Sequence, residues 1–128
     1  MTCSCGVEVA EHPASRCLDA CVAERVMGWV CPPDYNYWMT IHSGGTFDLH
    51  ELKASWLPSS SIKSAWSVLD RWQGDYILRH RNDIFSCELF RPSEQWDGRW
   101  ADTMPLAICR ATLLAVESEP LCRVAPMK

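Results

Sequence analysis

The sequence predicts an α+β domain in which an antiparallel sheet of two hairpins packs with three α-helices, in the order helix, hairpin, helix, hairpin, helix. Two observations lead to this prediction. Three segments carry apolar residues at helical spacing, and the segments between them alternate in polarity around short turns. A chain of 128 residues with 48% hydrophobic content has the size and composition of one globular domain. We expect that domain at residues 15–117, after an irregular cysteine-containing arm (1–14) and before a partly ordered tail (118–128).

The first helix is predicted from Ser15, a suitable N-cap, to Met27. Its apolar positions fall on one helical face: Leu18, Cys21, Val22 and Val26. Gly28 follows where a left-handed residue commonly ends a helix, because glycine has no Cβ to clash in that conformation. We therefore expect Trp29 to fold back onto the last turn.

Two hairpins are predicted from strand-like segments on either side of short turns. YWMTIH (37–42) and TFDLH (46–50) flank Ser-Gly-Gly, and DYILRHR (75–81) and IFSCELF (84–90) flank Asn82-Asp83. In the first hairpin, alternation separates Tyr37, Met39 and Ile41 from Trp38, Thr40 and His42. In the second, the residues expected to face the core are Tyr76, Leu78, Phe85, Cys87 and Leu89.

Two further helices complete the pattern. A serine run (59–61) precedes a helix whose expected buried stripe contains two tryptophans: Ile62, Ala65, Trp66, Leu69 and Trp72. Residues 91–102, RPSEQWDGRWAD, are interpreted as a polar loop. Thr103 can cap the third helix, and Pro105 fits its first turn because proline's missing N–H costs nothing there. The expected buried side of this helix includes Leu106, Cys109 and Leu113.

Three of these segments together resemble the phage ABA-sandwich domain family: LDACVAERVMGW (18–29), SSSIKSAWSVLDRW (59–72) and TMPLAICRATLLAVE (103–117). They occur in the family's order and at about its spacing, and they span most of residues 15–117. The resemblance implies a layered α/β domain of phage origin. It implies no reaction, because no catalytic residues come with the family pattern. The arm TCSCG lies outside the pattern.

Composition and motifs exclude several functional classes. A formal charge of −4 offers no basic surface for a phosphate backbone, and no segment is apolar enough to span a bilayer, so we expect neither nucleic acid nor membrane as a partner. The N-terminus has no apolar signal region, so host cytoplasm is the expected location. GxSxG, HExxH and glycine-rich phosphate loops are lacking. We therefore expect a protein that is not an enzyme and has no cofactor.

The eight cysteines suit thiols in a reducing compartment. One alternative is a zinc site formed by Cys3, Cys5, Cys17 and Cys21, with His12 as an additional candidate. The other is that Cys17 and Cys21 pack as small apolar residues while Cys3 and Cys5 are exposed thiols. Cys87 and Cys109 are expected in the core.

Seven tryptophans are more than the predicted helical stripes use. The candidate ligand-binding residues are those aromatic and basic side chains that lie in predicted loops, on an outer strand face or near a strand end: Tyr35, Trp38, Arg79, Arg81, Trp96 and Trp100. Aromatic rings can stack on a base, and guanidinium groups can bind phosphates.

Three functional hypotheses follow from these residues and from the phage resemblance. The first is a non-enzymatic accessory protein that binds a host cytosolic target and counters host defence by sequestering a small nucleotide signal, with a pocket shared in a homodimer. The second is a protein-interaction module that inhibits a host defence protein, with exposed tryptophans as anchors. The third is a structural zinc-binding domain.

Overall fold

The computed structural model describes residues 6–92 and 94–117, which form an α+β domain of three α-helices and two antiparallel sheets. The elements in chain order are a 3₁₀ turn (Val9–Glu11), α1 (Arg16–Val22), a π-helical continuation of α1 (Ala23–Met27), β1 (Tyr37–Ile41), β2 (Phe47–Leu52), α2 (Ile62–Arg71), β3 (Asp75–Arg81), β4 (Ile84–Arg91), β5 (Glu94–Ala101) and α3 (Met104–Glu117). No helix in this part of the chain has the length and apolar character needed to cross a bilayer.

The first helix begins and ends as its sequence predicts. The Ser15 hydroxyl accepts a hydrogen bond from the Leu18 N–H at 3.2 Å. At the other end Gly28 has φ +75°, and the N–H groups of Gly28 and Trp29 both donate to the Ala23 carbonyl. The last turn is π-helical, and Trp29 folds back to be 8% exposed.

The first hairpin forms a separate two-stranded sheet, so the prediction of one sheet containing both hairpins is wrong. Trp38 pairs with Glu51 and Met39 pairs with Leu49, so His50 is the extra residue of a β-bulge. Trp38 is 2% exposed and belongs to the core cluster, which corrects its placement on an outer face. The remaining strands do not extend this sheet because they pair among themselves.

The second sheet has three strands in the order β3-β4-β5. Asn82 and Asp83 both have positive φ, as expected for the two-residue hairpin turn. Residues 94–101 form β5, so the prediction of a polar loop over 91–102 is wrong. Charged residues and Gly98 conceal this strand in the sequence, and charges of this kind are common on edge strands because they discourage pairing with other chains.

The buried face of α2 differs from the predicted stripe. Trp66 is 43% exposed, and the buried residues are Ser64, Ala65, Val68 and Leu69. Ser64 can face inward because its hydroxyl accepts the Leu57 N–H at 3.1 Å, so no polar group is left unpaired. Trp72 is partly buried against the core. The prediction of a helix here is confirmed, but the helix is rotated from the predicted orientation. Ser64, whose hydroxyl has a hydrogen-bond partner, faces inward, and Trp66 is exposed.

The second hairpin's core residues are only partly as predicted. Cys87 and Leu89 are fully buried, while Leu78 and Phe85 are partly buried against the core. Tyr76 is 43% exposed, so its prediction as a core residue is wrong. It lies on β3, whereas α3 packs mainly on β4 and β5.

The third helix is the centre of the core. Thr103 caps it through a 3.4 Å hydrogen bond from the Leu106 N–H. From residue 105 to residue 113 every residue of α3 is buried. Val9 belongs to the same core cluster, so part of the segment before α1 also packs on the domain.

A buried polar junction joins α1 to the segment before α2. The Ser59 N–H donates to the Asp19 carboxylate at 2.7 Å, and the Ser15 N–H donates to the Ser59 hydroxyl at 3.1 Å. Desolvation by burial raises the pKa of the Asp19 carboxyl, although the hydrogen bonds from Ser59 oppose that rise. The junction fixes the start of α2 relative to α1 across about 40 residues of sequence.

Gly74 lies where the chain leaves α2 and passes close to β4. A methyl group on its Cα would overlap the Phe90 carbonyl oxygen and come within 3.2 Å of the Arg91 side chain. We expect Gly74→Ala to lower the free energy of unfolding by about 1–3 kcal/mol, because backbone must move to admit the methyl group. Gly44→Ala is the control, since nothing lies within 4 Å of its Cβ position. Urea unfolding of both variants tests this, and equal midpoints would contradict it.

Candidate functional site

Three predicted ligand-binding residues meet on the open face of the three-stranded sheet. Arg79 pairs with Ser86, which in turn pairs with Trp100, so these side chains form one cross-strand row. Arg81 lies two residues further along β3 and therefore on the same face. Arg79, Arg81 and Trp100, beside Glu88, are called the cationic face.

The cationic face lines a shallow depression of about 480 Å³ that also includes His80 at its rim. The Arg79 Nη2 atom lies 3.5 Å from the Glu88 carboxylate; the Arg79 side chain is 55% exposed and that of Glu88 is 19% exposed. The His80 ring packs against Phe85 with centroids 4.2 Å apart. Trp100 is 52% exposed. Among the described side chains, the face therefore offers two guanidinium groups and one accessible indole, with the Glu88 carboxylate beside them.

The other predicted binding residues do not join this face. Tyr35 lies beside the first hairpin, its ring edge-on to Phe47 at 6.3 Å. Trp38 lines a separate cleft of about 320 Å³, where the Lys53 ammonium lies 5.1 Å from its ring centroid. Trp96 pairs with Leu89 through the backbone, and its side chain lies outside the described part of the structure. The six residues thus divide among different surfaces.

Arg110 fixes the backbone behind the cationic face. It is 8% exposed on α3, and its guanidinium donates to the His12 carbonyl at 2.7 and 3.2 Å and to the Trp100 carbonyl at 3.1 Å. Desolvation by burial lowers its pKa, but a guanidinium remains protonated. The buried charge holds β5 and the segment before α1 against α3, so it helps to position Trp100.

A second surface is apolar and lies on the first hairpin. We call it the hairpin face, and its exposed members are Tyr35, Tyr37, Ile41, Phe47, Leu49 and Leu52. The register places Tyr37 opposite Leu52 and Ile41 opposite Phe47. The His50 bulge turns both Leu49 and Leu52 to the same side despite their odd spacing. None of the six side chains is charged.

A third surface, which sequence reasoning missed, is a cleft of about 370 Å³ between the helices. We call it the arginine cleft, and its lining residues are Val26, Gly28, Val68, Arg71, Trp72, Gln73, Arg91, Thr112 and Val116. They come from the end of the first helix, the end of α2, the end of β4 and the last turns of α3. No signal in the sequence joins Arg71 to Arg91, because only the tertiary fold brings α2 and β4 together.

The cysteines have different surroundings. Cys87 and Cys109 are fully buried, as predicted, and burial raises the pKa of the Cys87 thiol to about 12. In residues 6–92 and 94–117, no group of three or more His, Cys, Asp or Glu side chains could hold a metal ion. Cys3 and Cys5 lie outside the described residues, so the zinc hypothesis stays a prediction.

The fold is that of an α+β domain with helices packed against antiparallel sheets. A family model, the phage ABA sandwich domain, matches residues 20–113, and the chain therefore belongs to this family. It is similar in fold to a phage protein from Bacillus cereus ATCC 14579 known from its crystal structure, with a TM-score of 0.60 and 22% identity over 80% of this chain and 92% of that one. A comparison with curated proteins finds no match.

The buried bonds of Arg110 can be tested by substitution. We expect Arg110→Met to lower the free energy of unfolding by about 2–4 kcal/mol, because two buried carbonyl groups lose their donors. The free energy of unfolding of Arg110→Lys should lie between those of Arg110→Met and the wild type, since an ammonium group cannot reproduce the planar fork of donors of a guanidinium. Urea unfolding measures both, with the exposed Arg16→Met as control. An Arg110→Met variant as stable as Arg16→Met would contradict this role.

Proposed function

We propose that this phage protein is a non-enzymatic binding protein of the host cytoplasm that takes up a small nucleotide through the cationic face. The observation that supports the proposal is the meeting of Arg79, Arg81 and Trp100 on one open sheet surface. Guanidinium groups bind phosphate oxygens through paired N–H donors, and an exposed indole offers a surface on which a base can stack.

The two cations on this face favour an anion whose phosphate oxygens can contact both guanidinium groups at once. Arg79 already has Glu88 as a partner, and a bound phosphate would have to compete with that carboxylate. The contact is long at 3.5 Å and the Arg79 side chain is 55% exposed, so its guanidinium remains accessible to a phosphate. Arg81 adds a second cation. A nucleotide also gains stacking on Trp100, which inorganic phosphate lacks, so it should bind more tightly.

The biological role proposed here is counter-defence by sequestration of a nucleotide signal. Its support is membership of a phage family together with a surface suited to binding. The step from fold to role is an analogy and carries no chemistry of its own. A sequestering protein needs affinity and abundance, and it needs no catalytic group.

The binding proposal is tested by thermal shift and calorimetry with 3′,5′-cyclic AMP, a cyclic dinucleotide and ADP-ribose. We expect at least one of them to raise the melting temperature, since a ligand at about 100 times its Kd stabilises by about 2.7 kcal/mol. Inorganic phosphate should bind at least about tenfold more weakly. Arg81→Ala and Trp100→Ala should each weaken binding by about tenfold or more.

Two matched controls accompany these variants. Trp66→Ala removes a tryptophan of similar exposure from α2, and Lys63→Ala removes an exposed cation from the same helix. Neither change should alter nucleotide affinity. The proposal fails if no nucleotide shifts the transition, or if Trp66→Ala weakens binding as much as Trp100→Ala does.

The homodimer expected with the nucleotide-binding hypothesis is supported by the hairpin face. Single exposed apolar residues are common on protein surfaces, but five on one hairpin, with Tyr35 beside them, form a patch of the kind found at interfaces. Because the patch is uncharged, a partner must itself be apolar and uncharged there, and a second copy of this chain meets that requirement. We therefore assign the face to a two-fold homodimer.

Sedimentation equilibrium tests the dimer. We expect wild-type protein to associate at micromolar concentration, and Leu49→Ser with Ile41→Ser to shift the population to monomer, because both residues are 53% exposed and contribute little to the folded monomer. Trp66→Ser, an equally apolar change on α2, should leave association unchanged. A wild type that stays monomeric at 100 times that concentration would overturn the dimer assignment and leave a host protein as the partner to be sought.

A further inference from the structure

The arginine cleft combines an apolar interior with a basic rim. Val68 and Thr112 are 0% and 1% exposed and lie at its base, and Val26 and Val116 add apolar surface. The Thr112 hydroxyl is occupied, since it donates to the backbone carbonyls of Ile108 and Cys109 at 2.9 and 3.1 Å. The base of the cleft therefore presents mostly methyl groups to anything that enters.

Arg71 and Arg91 both line the cleft and lie at its rim. The Arg91 guanidinium carbon is 4.4 Å from the centroid of the Trp72 ring, a cation–π contact that restricts its position. Trp72 is itself held by the hydrogen bond from its indole N–H to the Asp75 carbonyl at 3.1 Å. One cation at the rim is thus pre-positioned.

Gly28 lines the cleft and adopts φ +75° to end the first helix. The Arg71 Nη2 atom lies 4.0 Å from the position that a Cβ of residue 28 would occupy, an ordinary van der Waals distance. The end of the first helix and the Arg71 guanidinium are therefore neighbours at the cleft.

We infer that the arginine cleft is a binding site for a small amphipathic anion, in which a carboxylate or phosphate meets Arg71 and Arg91 while an attached apolar group rests on Val68 and Val116. The volume of about 370 Å³ lies in the lower part of the range for small-molecule sites. This site is separate from the cationic face and shares none of its residues, so it does not depend on the nucleotide proposal.

Calorimetry with phenyl phosphate, benzoate, inorganic phosphate and phenol tests the inference. Phenyl phosphate or benzoate should bind with Kd below about 1 mM, and each half alone should bind at least about tenfold more weakly, because it engages only the rim or only the base. Phenyl phosphate and benzoate together distinguish a phosphate from a carboxylate as the preferred anion. No heat from either compound would overturn the site.

Variants and NMR locate the binding. Arg71→Gln and Arg91→Gln should each weaken the preferred probe about tenfold, whereas Arg81→Gln, on the cationic face, should leave its affinity unchanged. Amide shifts in a ¹⁵N–¹H spectrum should centre on Gly28, Gln73 and Val116. These shifts are measured on the wild-type protein, so they do not require that any variant folds. The assignment to this cleft would be overturned if Arg81→Gln weakened binding of the probe as much as Arg71→Gln does, or if the amide shifts centred on residues 79–81.

Discussion

The burial of α3 on every side is the constraint on which the rest of the structure depends. A helix whose residues 105–113 are all buried must be covered by other elements, and here the three-stranded sheet, α1 and α2 supply that cover. Such a helix has no solvent face to define its rotation. Arg110 fixes the rotation of α3, because its guanidinium donates hydrogen bonds to two specific carbonyl groups, those of His12 and Trp100. The buried charge therefore sets how α3 meets β5 and the segment before α1.

The same packing separates structure from candidate function within one sheet. α3 covers the face of β4 and β5 that carries Cys87 and Leu89, which leaves the opposite face with Arg79 and Trp100 open. Alternation along a strand makes this division sharp, since adjacent residues point to opposite sides. The division is less sharp in the two-stranded hairpin: Trp38 faces the core and Ile41 and Leu49 are exposed, but Met39, on the same face as Ile41, is 1% exposed, and every residue of β2 is exposed. The three-stranded sheet thus has one face packed on α3 and one open face.

Three surfaces of different chemistry follow from this arrangement: the cationic face, the hairpin face and the arginine cleft. The residues chosen from the sequence, Arg79, Arg81 and Trp100, proved to be neighbours because strand register placed them in adjacent positions. Tyr35 and Trp38 did not join them, since their hairpin forms its own sheet. The aromatic content of the sequence predicted exposed rings, but it carried no information on which rings share one surface. The grouping is a property of the pairing between strands, and single segments do not encode it.

The sequence by itself determined the three helices, both hairpins, the caps at Ser15 and Thr103 and the stop at Gly28, because each depends on residues only a few positions apart. Three of these segments taken together also indicated the family. Tertiary structure decided the rest. It placed the hairpins in two sheets, made a strand of residues 94–101, and turned Trp66 to solvent while Ser64 faced inward. It also joined Arg71 to Arg91 in one cleft. The physical reason is common to all four: each outcome depends on contacts between different segments, such as Ser64 with the Leu57 N–H, β5 with β4, and Arg71 beside Arg91, which the periodicity within one segment does not specify.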